Sequence, residues 1–179
     1  MAGRKVRVSK PHSYIIGNHS YVLDYLFSLC DVKSMAEIGV SKGRLMRVIL
    51  RSDAGKKITD YFAIDPWENE PHWNRDSDYA GVSRYMIWFP ALKVFRLESI
   101  VAAPLFPDGR LDLVYIDGGH NYTDVSQDIA AWLPKIRKGG IVCGHDFGGK
   151  RPGVERAVRE AFGDNFVLSN FGVWYKILD

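Results

Sequence analysis

Apolar residues at helical spacing alternate along the chain with short apolar runs that are typical of strands. Helical spacing predicts a helix from residue 18, where Asn18 can cap the first turn, to about residue 30. Further helices are predicted at 43–51, from Asp78 to about residue 89, in a short segment that stops at Pro104, at 122–133 and at 153–162. Strands are predicted at 34–39, 61–65, 93–97, 111–117, 141–144, 166–168 and 173–177.

This alternation predicts an α/β fold, with a doubly wound, Rossmann-like and mostly parallel sheet of seven strands and helices on both faces. Residues 113–116 (LVYI) form a continuous apolar run, which is typical of a parallel strand that is covered on both faces. The last two strands are separated by only four residues, 169–172, which are too few for a helical crossover. The last strand is therefore predicted to be antiparallel, as one half of a hairpin.

Length and composition fit one folded domain. The 179 residues lie in the usual range of ~100–200 residues per domain, and an apolar content of 46% excludes a disordered chain. Two cysteines, Cys30 and Cys143, are too few for a disulfide scaffold or a Cys-rich zinc module, and we expect free thiols in a reducing compartment. No apolar run reaches the ~18–20 residues that cross a bilayer, and no secretory signal is recognisable. We expect a cytoplasmic protein that has no membrane partner.

Positive charge is concentrated near the start of the chain. The net charge is +3, but four of the basic residues lie within the first ten positions, which contain no acid: Arg4, Lys5, Arg7 and Lys10. The rest of the chain therefore has a net charge of −1. We predict a basic N-terminal arm at 1–17, expected to be a solvated terminus, and one domain at 18–179. Nucleic acid is not an expected partner, because its binding requires a broad basic face.

The glycine spacing after the first predicted strand excludes the common phosphate-binding loops. Gly39 and Gly43 are separated by three residues, so the dinucleotide fingerprint G-x-G-x-x-G is absent. A near match to the P-loop pattern at 144–150 fails because Arg151 stands where a Ser or Thr must hold magnesium. A loop with two glycines and the acid Glu37 suits a ligand that has no pyrophosphate and whose carboxylate and amine meet backbone amides.

Polar residues also follow the other predicted strands. In doubly wound sheets, ligands bind beyond the carboxyl ends of the strands. Asp65 lies 22 residues beyond Gly43, where a carboxylate can accept hydrogen bonds from both hydroxyls of a ribose. Together with the glycine loop, it indicates a cofactor that contains adenosine. The remaining strand ends carry Glu98 and Ser99, Asp117 and His120, and His145 and Asp146.

Five segments, taken in order, resemble class I S-adenosylmethionine (SAM)-dependent methyltransferases. They begin at Glu37 (EIGVSKG), Phe62 (FAIDPW), Leu97 (LES), Leu111 (LDLVYIDGGHNY) and Trp132 (WLPKIRKGGIVCGHDF). The similarity is greatest to the small, metal-dependent O-methyltransferase branch that includes catechol and macrolide-sugar O-methyltransferases. It covers about residues 18–177, and its most specific part is Ile-Asp-Gly-x-His-x-Tyr followed by Gly-Gly-x-x-x-x-His-Asp.

This resemblance implies that SAM is the cofactor, and it assigns the residues of its site. The glycine loop would surround the methionine part of SAM, Asp65 would hold the ribose, and Ser99 with Glu98 would border the adenine. The full set of implied cofactor-binding residues is Glu37, Gly39, Ser41, Gly43, Asp65, Glu98, Ser99 and Asp117.

Methyl transfer to a hydroxyl also needs groups that activate the nucleophile. A divalent ion can lower the pKa of the hydroxyl, and a nearby base can take its proton. Asp117, His145 and Asp146 are predicted to hold the ion, Mg²⁺ or Mn²⁺. His120 is predicted to be the general base, at the position where the family has Lys or His. His145 departs from the Asp or Glu of related enzymes.

Each of these residues has an ordinary structural alternative. Asp117 could cap the helix that starts near Tyr122, His120 could be a loop residue, and His145 could be a packing residue.

The loop at 66–90 is rich in aromatic side chains. Trp67, Trp73 and Trp88 are candidates for stacking against the acceptor substrate. The same loop could instead form a hydrophobic lid or a homodimer surface.

The predicted function is SAM-dependent methyl transfer to an oxygen of a small molecule, a sugar or aromatic hydroxyl, with a divalent metal. Two alternatives stay open. One is a SAM- or nucleotide-binding module without transferase activity. The other is a metal-dependent hydrolase or hydroxylase that uses the same Asp and His site.

Overall fold

The computed structural model describes residues 4–6, 19–68, 75–169 and 172–179. The strands are β1 (Arg4–Val6), β2 (Ser34–Ile38), β3 (Asp60–Ile64), β4 (Leu92–Phe95), β5 (Leu111–Ile116), β6 (Ile136–Gly144), β7 (Val167–Ser169) and β8 (Trp174–Ile177). The α-helices are α1 (His19–Leu29), α2 (Arg44–Arg51), α3 (Asp76–Ser83), α4 (Ser99–Ala102), α5 (Tyr122–Trp132) and α6 (Pro152–Phe162). Short 3-10 segments lie at Gly55–Lys57, Arg84–Ile87, Ala103–Leu105 and Leu133–Lys135. Within the described ranges, no helix has the length and apolar character that a membrane span needs.

The strands form one sheet in the order β1-β7-β8-β6-β5-β2-β3-β4, in which only β8 runs antiparallel to its neighbours. This confirms the predicted, mostly parallel sheet with an antiparallel last strand. The chain leaves β4 at one edge and returns as β5 on the other side of β2, so the strand order reverses between β2 and β5. Ile38 and Ile116 are register partners at that point. A ligand site is expected beyond the carboxyl ends of these two strands.

β1 is an eighth strand that the sequence analysis did not predict. Arg4 to Val6 pair in parallel with Val167 to Ser169. The backbone of these three residues is therefore paired in the sheet, whereas the solvated arm at 1–17 and the domain at 18–179 stay predictions. Asn18, the predicted cap of α1, lies outside the described residues.

The two faces of the sheet build two hydrophobic clusters. Along β5, Leu113 and Tyr115 belong to the cluster that also contains residues of α1 and α2. Val114 and Ile116 belong to the cluster that contains residues of α5 and α6. All residues of β5 are buried. The run LVYI is continuously apolar because both faces of this strand are covered.

Several element boundaries differ from the prediction, among them the starts of α3 and β6. α3 begins at Asp76 after Arg75, so Asp78 lies in its first turn rather than at its cap. A carboxylate is still favourable there because the N-terminal end of a helix carries partial positive charge. β6 begins at Ile136 rather than Ile141, because a shift in its register against β5 accommodates the intervening residues.

Candidate functional site

A cavity of about 560 Å³ opens beyond the ends of β2, β3 and β5. This volume lies within the ~300–1,000 Å³ that is typical of small-molecule sites. Its walls come from the loops that follow these strands, from the start of α4 and from the first turns of α5. Seven residues that the sequence analysis singled out line it: Gly39, Ser41, Asp65, Glu98, Ser99, Asp117 and His120.

Gly39 brings the loop after β2 against the end of β5. Its φ is +84°, in the left-handed region that favours glycine. A Cβ at this position would lie 2.3 Å from the carbonyl oxygen of Asp117 and 2.6 Å from the Cα of Gly118. Only glycine allows the two backbones to approach so closely, so this residue shapes the cavity wall where the two loops meet.

Asp65 holds together the loops that follow β2 and β3. Its Oδ2 accepts a hydrogen bond from the backbone N–H of Ser41 at 2.8 Å, and its Oδ1 accepts one from the backbone N–H of Trp67 at 2.8 Å. The Arg75 guanidinium lies 3.7 Å from Oδ2. An ionised carboxylate can accept about four hydrogen bonds. Asp65 therefore retains acceptor capacity toward the cavity that it lines.

Glu37 lies beneath the cavity rather than in its wall. Its side chain is buried, and the Tyr61 hydroxyl donates a hydrogen bond to its Oε2 at 2.5 Å. The pKa of Glu37 is raised to about 8, chiefly because burial disfavours the charged form, and further because Asp117 and Asp65 are close; the hydrogen bond from Tyr61 opposes this rise. The resemblance implied that Glu37 and Gly43 surround the cofactor, but neither residue is among those that line the cavity. Gly43 is the N-cap residue of α2.

We expect Glu37→Gln to remove a pH dependence from the folding stability. A carboxyl with a pKa of about 8 in the folded chain and 4.5 in the unfolded chain takes up a proton on folding. Its contribution to the free energy of unfolding is fully present below about pH 4.5. It is lost as the pH rises through the folded pKa, by about 1.4 kcal/mol for each pH unit.

Urea unfolding between about pH 5 and pH 8 checks this prediction. Glu37→Gln should gain stability relative to the wild type as the pH rises, because glutamine keeps an acceptor for Tyr61 and carries no titratable group. Glu160→Gln, at an exposed position of α6, is the control and should show no such trend. If the free energies of unfolding of Glu37→Gln and the wild type differed by the same amount at every pH, the result would contradict a buried neutral carboxyl at Glu37.

Another part of the cavity wall is formed by Ser99 and α5. The Ser99 Oγ accepts a hydrogen bond from Trp132 Nε1 at 2.8 Å and is also hydrogen-bonded to Asp128. Asp128 is buried, and burial raises its pKa to about 6. The sequence analysis missed Asp128, although a signal was present. An acid stands three residues after Val125 and next to Ile129, on the apolar face of the predicted helix.

Asp117, His120 and Asp146 form a compact group beside the cavity. The His120 Nε2 lies 2.7 Å from Asp146 Oδ2 and 3.9 Å from Asp117 Oδ1. One possible ligand atom from each residue lies within 4.8 Å of the others, so a single ion could contact all three. Burial, and secondly the charge of Asp146, raise the pKa of Asp117 to about 8. This shift is expected where two carboxylates share one site.

His145, which the sequence analysis predicted as an ion ligand, does not belong to this group, and its role at an ion stays a prediction. Its Nδ1 lies 3.1 Å from Asp146 Oδ1, and its side chain lines a small pocket together with Val154 and Trp174. Asp146 has a φ of +59°, so the backbone turns sharply at the residue after His145. His120, and not His145, is the histidine whose side chain lies close to both Asp117 and Asp146.

The helix cap of α5 is Asn121 rather than Asp117. The Asn121 side chain accepts a hydrogen bond from the backbone N–H of Asp124 at 2.9 Å. A capping role therefore does not explain Asp117, which lines the cavity and lies near His120.

The three tryptophans predicted to contact the acceptor lie in different surroundings. Trp67 is fully buried, its Nε1 donates a hydrogen bond to the Ser41 carbonyl at 2.8 Å, and its ring packs 5.3 Å from that of Tyr79. The structure places Trp67 in the core and not among the residues that line the cavity, and its contact with an acceptor stays a prediction. Trp88 is exposed but lines a different cavity. Trp73 lies outside the described residues.

Comparison with known proteins identifies the central part of the chain. A family model for a methyltransferase domain matches residues 36–147, a range that contains the glycine loop, Asp65 and the Asp117, His120 and Asp146 group. A curated relative, the uncharacterized protein y4gI of Sinorhizobium fredii (strain NBRC 101917 / NGR234), is 27% identical over 96 residues. These residues are 52% of this chain but only 11% of the relative, so the chain spans a small part of that protein's length.

Solved structures share the fold at low sequence identity. A caffeoyl-CoA O-methyltransferase-like protein of Staphylococcus aureus has a TM-score of 0.67 at 13% identity, covering 93% of this chain and 86% of its own. CalS11, a TDP-rhamnose 3'-O-methyltransferase of calicheamicin biosynthesis, has a TM-score of 0.66 at 18% identity, with coverages of 87% and 76%. TomG, an O-methyltransferase of Streptomyces achromogenes in complex with SAM, has a TM-score of 0.63 at 16% identity, with coverages of 93% and 82%. These similarities confirm the Rossmann-like fold.

Proposed function

The chain belongs to the family of methyltransferase domains whose model matches residues 36–147, and we propose that it transfers the methyl group of SAM to an oxygen of a small molecule. One observation carries this proposal. Asp65, which suits a ribose, and His120, which suits proton transfer, line the same cavity. A cofactor and an acceptor that are held together in one cavity react without the entropy cost of a bimolecular encounter.

The residues of the cavity fit SAM. Gly39 lets the loop after β2 pack closely against Asp117 and Gly118, so that both loops line the cavity. Asp65 has acceptor capacity for ribose hydroxyls, and Ser99 lies in the wall assigned to the adenine. When bound, SAM supplies a methyl group attached to a cationic sulfonium. Among the described residues of the wall, one arginine, Arg75, stands beside five acidic residues whose oxygens suit a cationic ligand: Asp65, Glu98, Asp117, Asp124 and Asp128.

The Asp117, His120 and Asp146 group suits the activation of a hydroxyl. Carboxylate oxygens are ligands that Mg²⁺ and Mn²⁺ prefer, and Asp117 with Asp146 would hold such an ion and leave coordination positions open. The bound ion would lower the pKa of an acceptor hydroxyl. His120 would take the proton of that hydroxyl, and Asp146, 2.7 Å away, would stabilise the imidazolium that results.

The proposed acceptor is a sugar or aromatic hydroxyl. Support comes from the resemblance to the O-methyltransferase branch and from the Asp117, His120 and Asp146 group beside the cavity, whose two carboxylates could hold an ion. The names of two structural neighbours refer to caffeoyl-CoA, an aromatic compound, and to TDP-rhamnose, a sugar compound.

We expect Asp65→Ala to weaken the binding of S-adenosylhomocysteine by about 10- to 100-fold, measured by calorimetric titration. Hydrogen bonds to a charged group contribute about 1.5–3 kcal/mol, and each 1.4 kcal/mol is about tenfold in affinity. Asp108→Ala is the matched control, because Asp108 is an exposed carboxylate paired with Lys135, and it should leave the affinity unchanged. Equal affinity of Asp65→Ala and the wild type would contradict the assignment of Asp65 to the ribose.

A turnover assay then separates the proposal from its alternatives. The wild type is assayed with SAM, Mg²⁺ or Mn²⁺, and a panel of sugar and phenolic acceptors. Methylation of any of these acceptors supports the proposal. Tight binding of S-adenosylhomocysteine without transfer to any of them would favour a binding module. Metal binding without affinity for S-adenosylhomocysteine would favour a hydrolase or hydroxylase.

A further inference from the structure

We propose that the chain has a second binding site, for a small planar aromatic anion, in a groove that does not belong to the methyltransferase cavity. The groove has a volume of about 480 Å³ and is lined by Arg51, Gly81, Arg84, Tyr85, Trp88 and Phe89; we call it the arginine groove. It shares no lining residue with the 560 Å³ cavity. The proposal does not depend on methyl transfer.

The arginine groove lies at the amino ends of the strands. Arg51 is the last residue of α2, and the backbone N–H of Leu92, the first residue of β4, donates a hydrogen bond to the Phe89 carbonyl at 2.9 Å. Asp65 and Asp117 lie beyond the carboxyl ends of β3 and β5. A ligand in the groove would therefore lie at the opposite end of the sheet from the cofactor.

The groove carries uncompensated positive charge. Arg51 and Arg84, which line the groove, and Arg47, which lies over the ring of Tyr85, form no ion pair with any residue that the structure describes. The described residues that line the groove include no acidic residue. The guanidinium groups of Arg47 and Arg51 lie 5.6 Å and 5.7 Å from the centroid of the Tyr85 ring. Their planar N–H donors match a carboxylate, sulfate or phosphate group.

The aromatic residues of the groove provide faces for a ring. Tyr85 and Phe89 are stacked, with ring centroids 6.3 Å apart and planes inclined by 16°. The Trp88 side chain is 75% exposed, whereas Trp67, Trp132 and Trp174 are fully buried. An exposed tryptophan next to guanidinium groups favours a ligand that has a planar ring as well as a negative charge.

Gly81 keeps one wall of the groove open at the expense of helix stability. It lies inside α3, where glycine is less favourable than alanine. No described atom lies within 4 Å of a Cβ built at this position, so packing does not require glycine. The open groove gives this residue a role, because a side chain at position 81 would extend into space that a ligand needs.

A small ligand fits these features better than a macromolecule. A symmetric contact with a second copy would bring the arginines of both copies together. A single strand of nucleic acid needs a positive track along several nucleotides, whereas the arginines here converge on one groove.

Calorimetric titration of the full chain with 1-naphthyl phosphate tests the proposal, with S-adenosylhomocysteine in excess so that the other cavity is not available to the probe. We expect a dissociation constant of at most about 1 mM. 1-Naphthol, which lacks the charge, and inorganic phosphate, which lacks the ring, should each bind at least about tenfold more weakly. Arg84→Gln and Gly81→Leu should each weaken the binding of 1-naphthyl phosphate by at least about tenfold.

Two features keep this test informative. Leucine is a better helix former than glycine, so Gly81→Leu is expected to fold at least as well as the wild type, which thermal unfolding checks. Arg156→Gln is the matched control, because Arg156 lies over the Tyr122 ring at 4.0 Å on another part of the surface, and it should not change the affinity.

Three results would overturn the proposal: absence of binding, equal affinity for 1-naphthol, or unchanged affinity in Gly81→Leu. If an eight-residue oligothymidylate bound at least about tenfold more tightly than 1-naphthyl phosphate, and Arg84→Gln removed this binding, the groove would be a nucleic-acid site and the proposal would also fail.

Discussion

Gly39→Ala is expected to abolish the binding of S-adenosylhomocysteine and to lower the free energy of unfolding by about 3 kcal/mol or more. The added methyl group would lie 2.3 Å from the carbonyl oxygen of Asp117 and 2.5 Å from its carbonyl carbon. Both atoms are backbone, so they cannot move aside by a change of rotamer. The loop after β2 and the end of β5 must separate, and this displaces the walls that hold Asp65 and Asp117 around the cavity.

Gly109→Ala separates this steric effect from the cost of the left-handed backbone. Gly109 has a φ of +67°, but the nearest atom to its Cβ would be the Cα of Arg137, at 4.0 Å. The free energy of unfolding of this variant should fall by only about 1–2 kcal/mol. Its affinity for S-adenosylhomocysteine should equal that of the wild type. Urea unfolding and calorimetric titration provide the two measurements. If Gly39→Ala were no more damaging than Gly109→Ala, the close approach of the two loops would not shape the site.

The grouping of the residues that follow the strands was predictable, because parallel strands place their carboxyl ends at one edge of the sheet. This rule alone brings Asp65, Ser99, Asp117 and His120 together, although they are far apart in the sequence, and the structure has all four in the wall of one cavity. The rule gives the edge of the sheet but not the direction of each side chain.

Glu37 shows why side-chain direction was not predictable. Every residue of β2 is buried. The strand therefore lacks the alternation of apolar and polar residues that would indicate the direction of the Glu37 side chain. Tyr61, on the neighbouring strand, directs Glu37 into the core by donating a hydrogen bond to it. That contact depends on the pairing of β2 with β3, which the sequence does not specify.

His145 and Trp67 lie apart from the places that the sequence analysis expected, because local turns of the backbone set the directions of their side chains. A positive φ occurs at Asp146, directly after His145, and at Trp67 itself. Such conformations are uncommon for residues other than glycine, and no glycine at these positions signals them. The burial of Asp128, in contrast, could have been predicted, since this residue lies on the apolar face of a predicted helix.

His120→Asn is expected to lower kcat of methyl transfer by about 10²- to 10⁴-fold, the usual contribution of a general base. Its affinity for S-adenosylhomocysteine should stay within about threefold of the wild type, because the proposed role is in chemistry and not in cofactor binding. His145→Asn is the matched control, since His145 also lies near Asp146, at 3.1 Å, but belongs to the pocket with Val154 and Trp174. We expect it to change kcat by less than about tenfold.

His120→Lys distinguishes a base from an ion ligand. Both roles are compatible with the 2.7 Å distance between His120 Nε2 and Asp146 Oδ2. If His120 is the base, a lysine amine can replace it in part, and the pH–rate profile should move to higher pH because an amine holds its proton more strongly than an imidazole. If His120 is mainly an ion ligand, lysine should give no rescue, and the metal concentration needed for half-maximal turnover should rise in His120→Asn.

The ion is tested by EDTA, which should abolish turnover and leave the binding of S-adenosylhomocysteine largely intact, and by Asp117→Asn, which should abolish turnover. Asp117 and Asp146 offer the carboxylate oxygens of the group, and two carboxylates at one site repel each other until a cation binds between them. Turnover that persists in EDTA, together with loss of activity in His120→Asn, would leave His120 as a base without an ion. Loss of turnover in EDTA with rescue by His120→Lys would establish both parts of the proposed site.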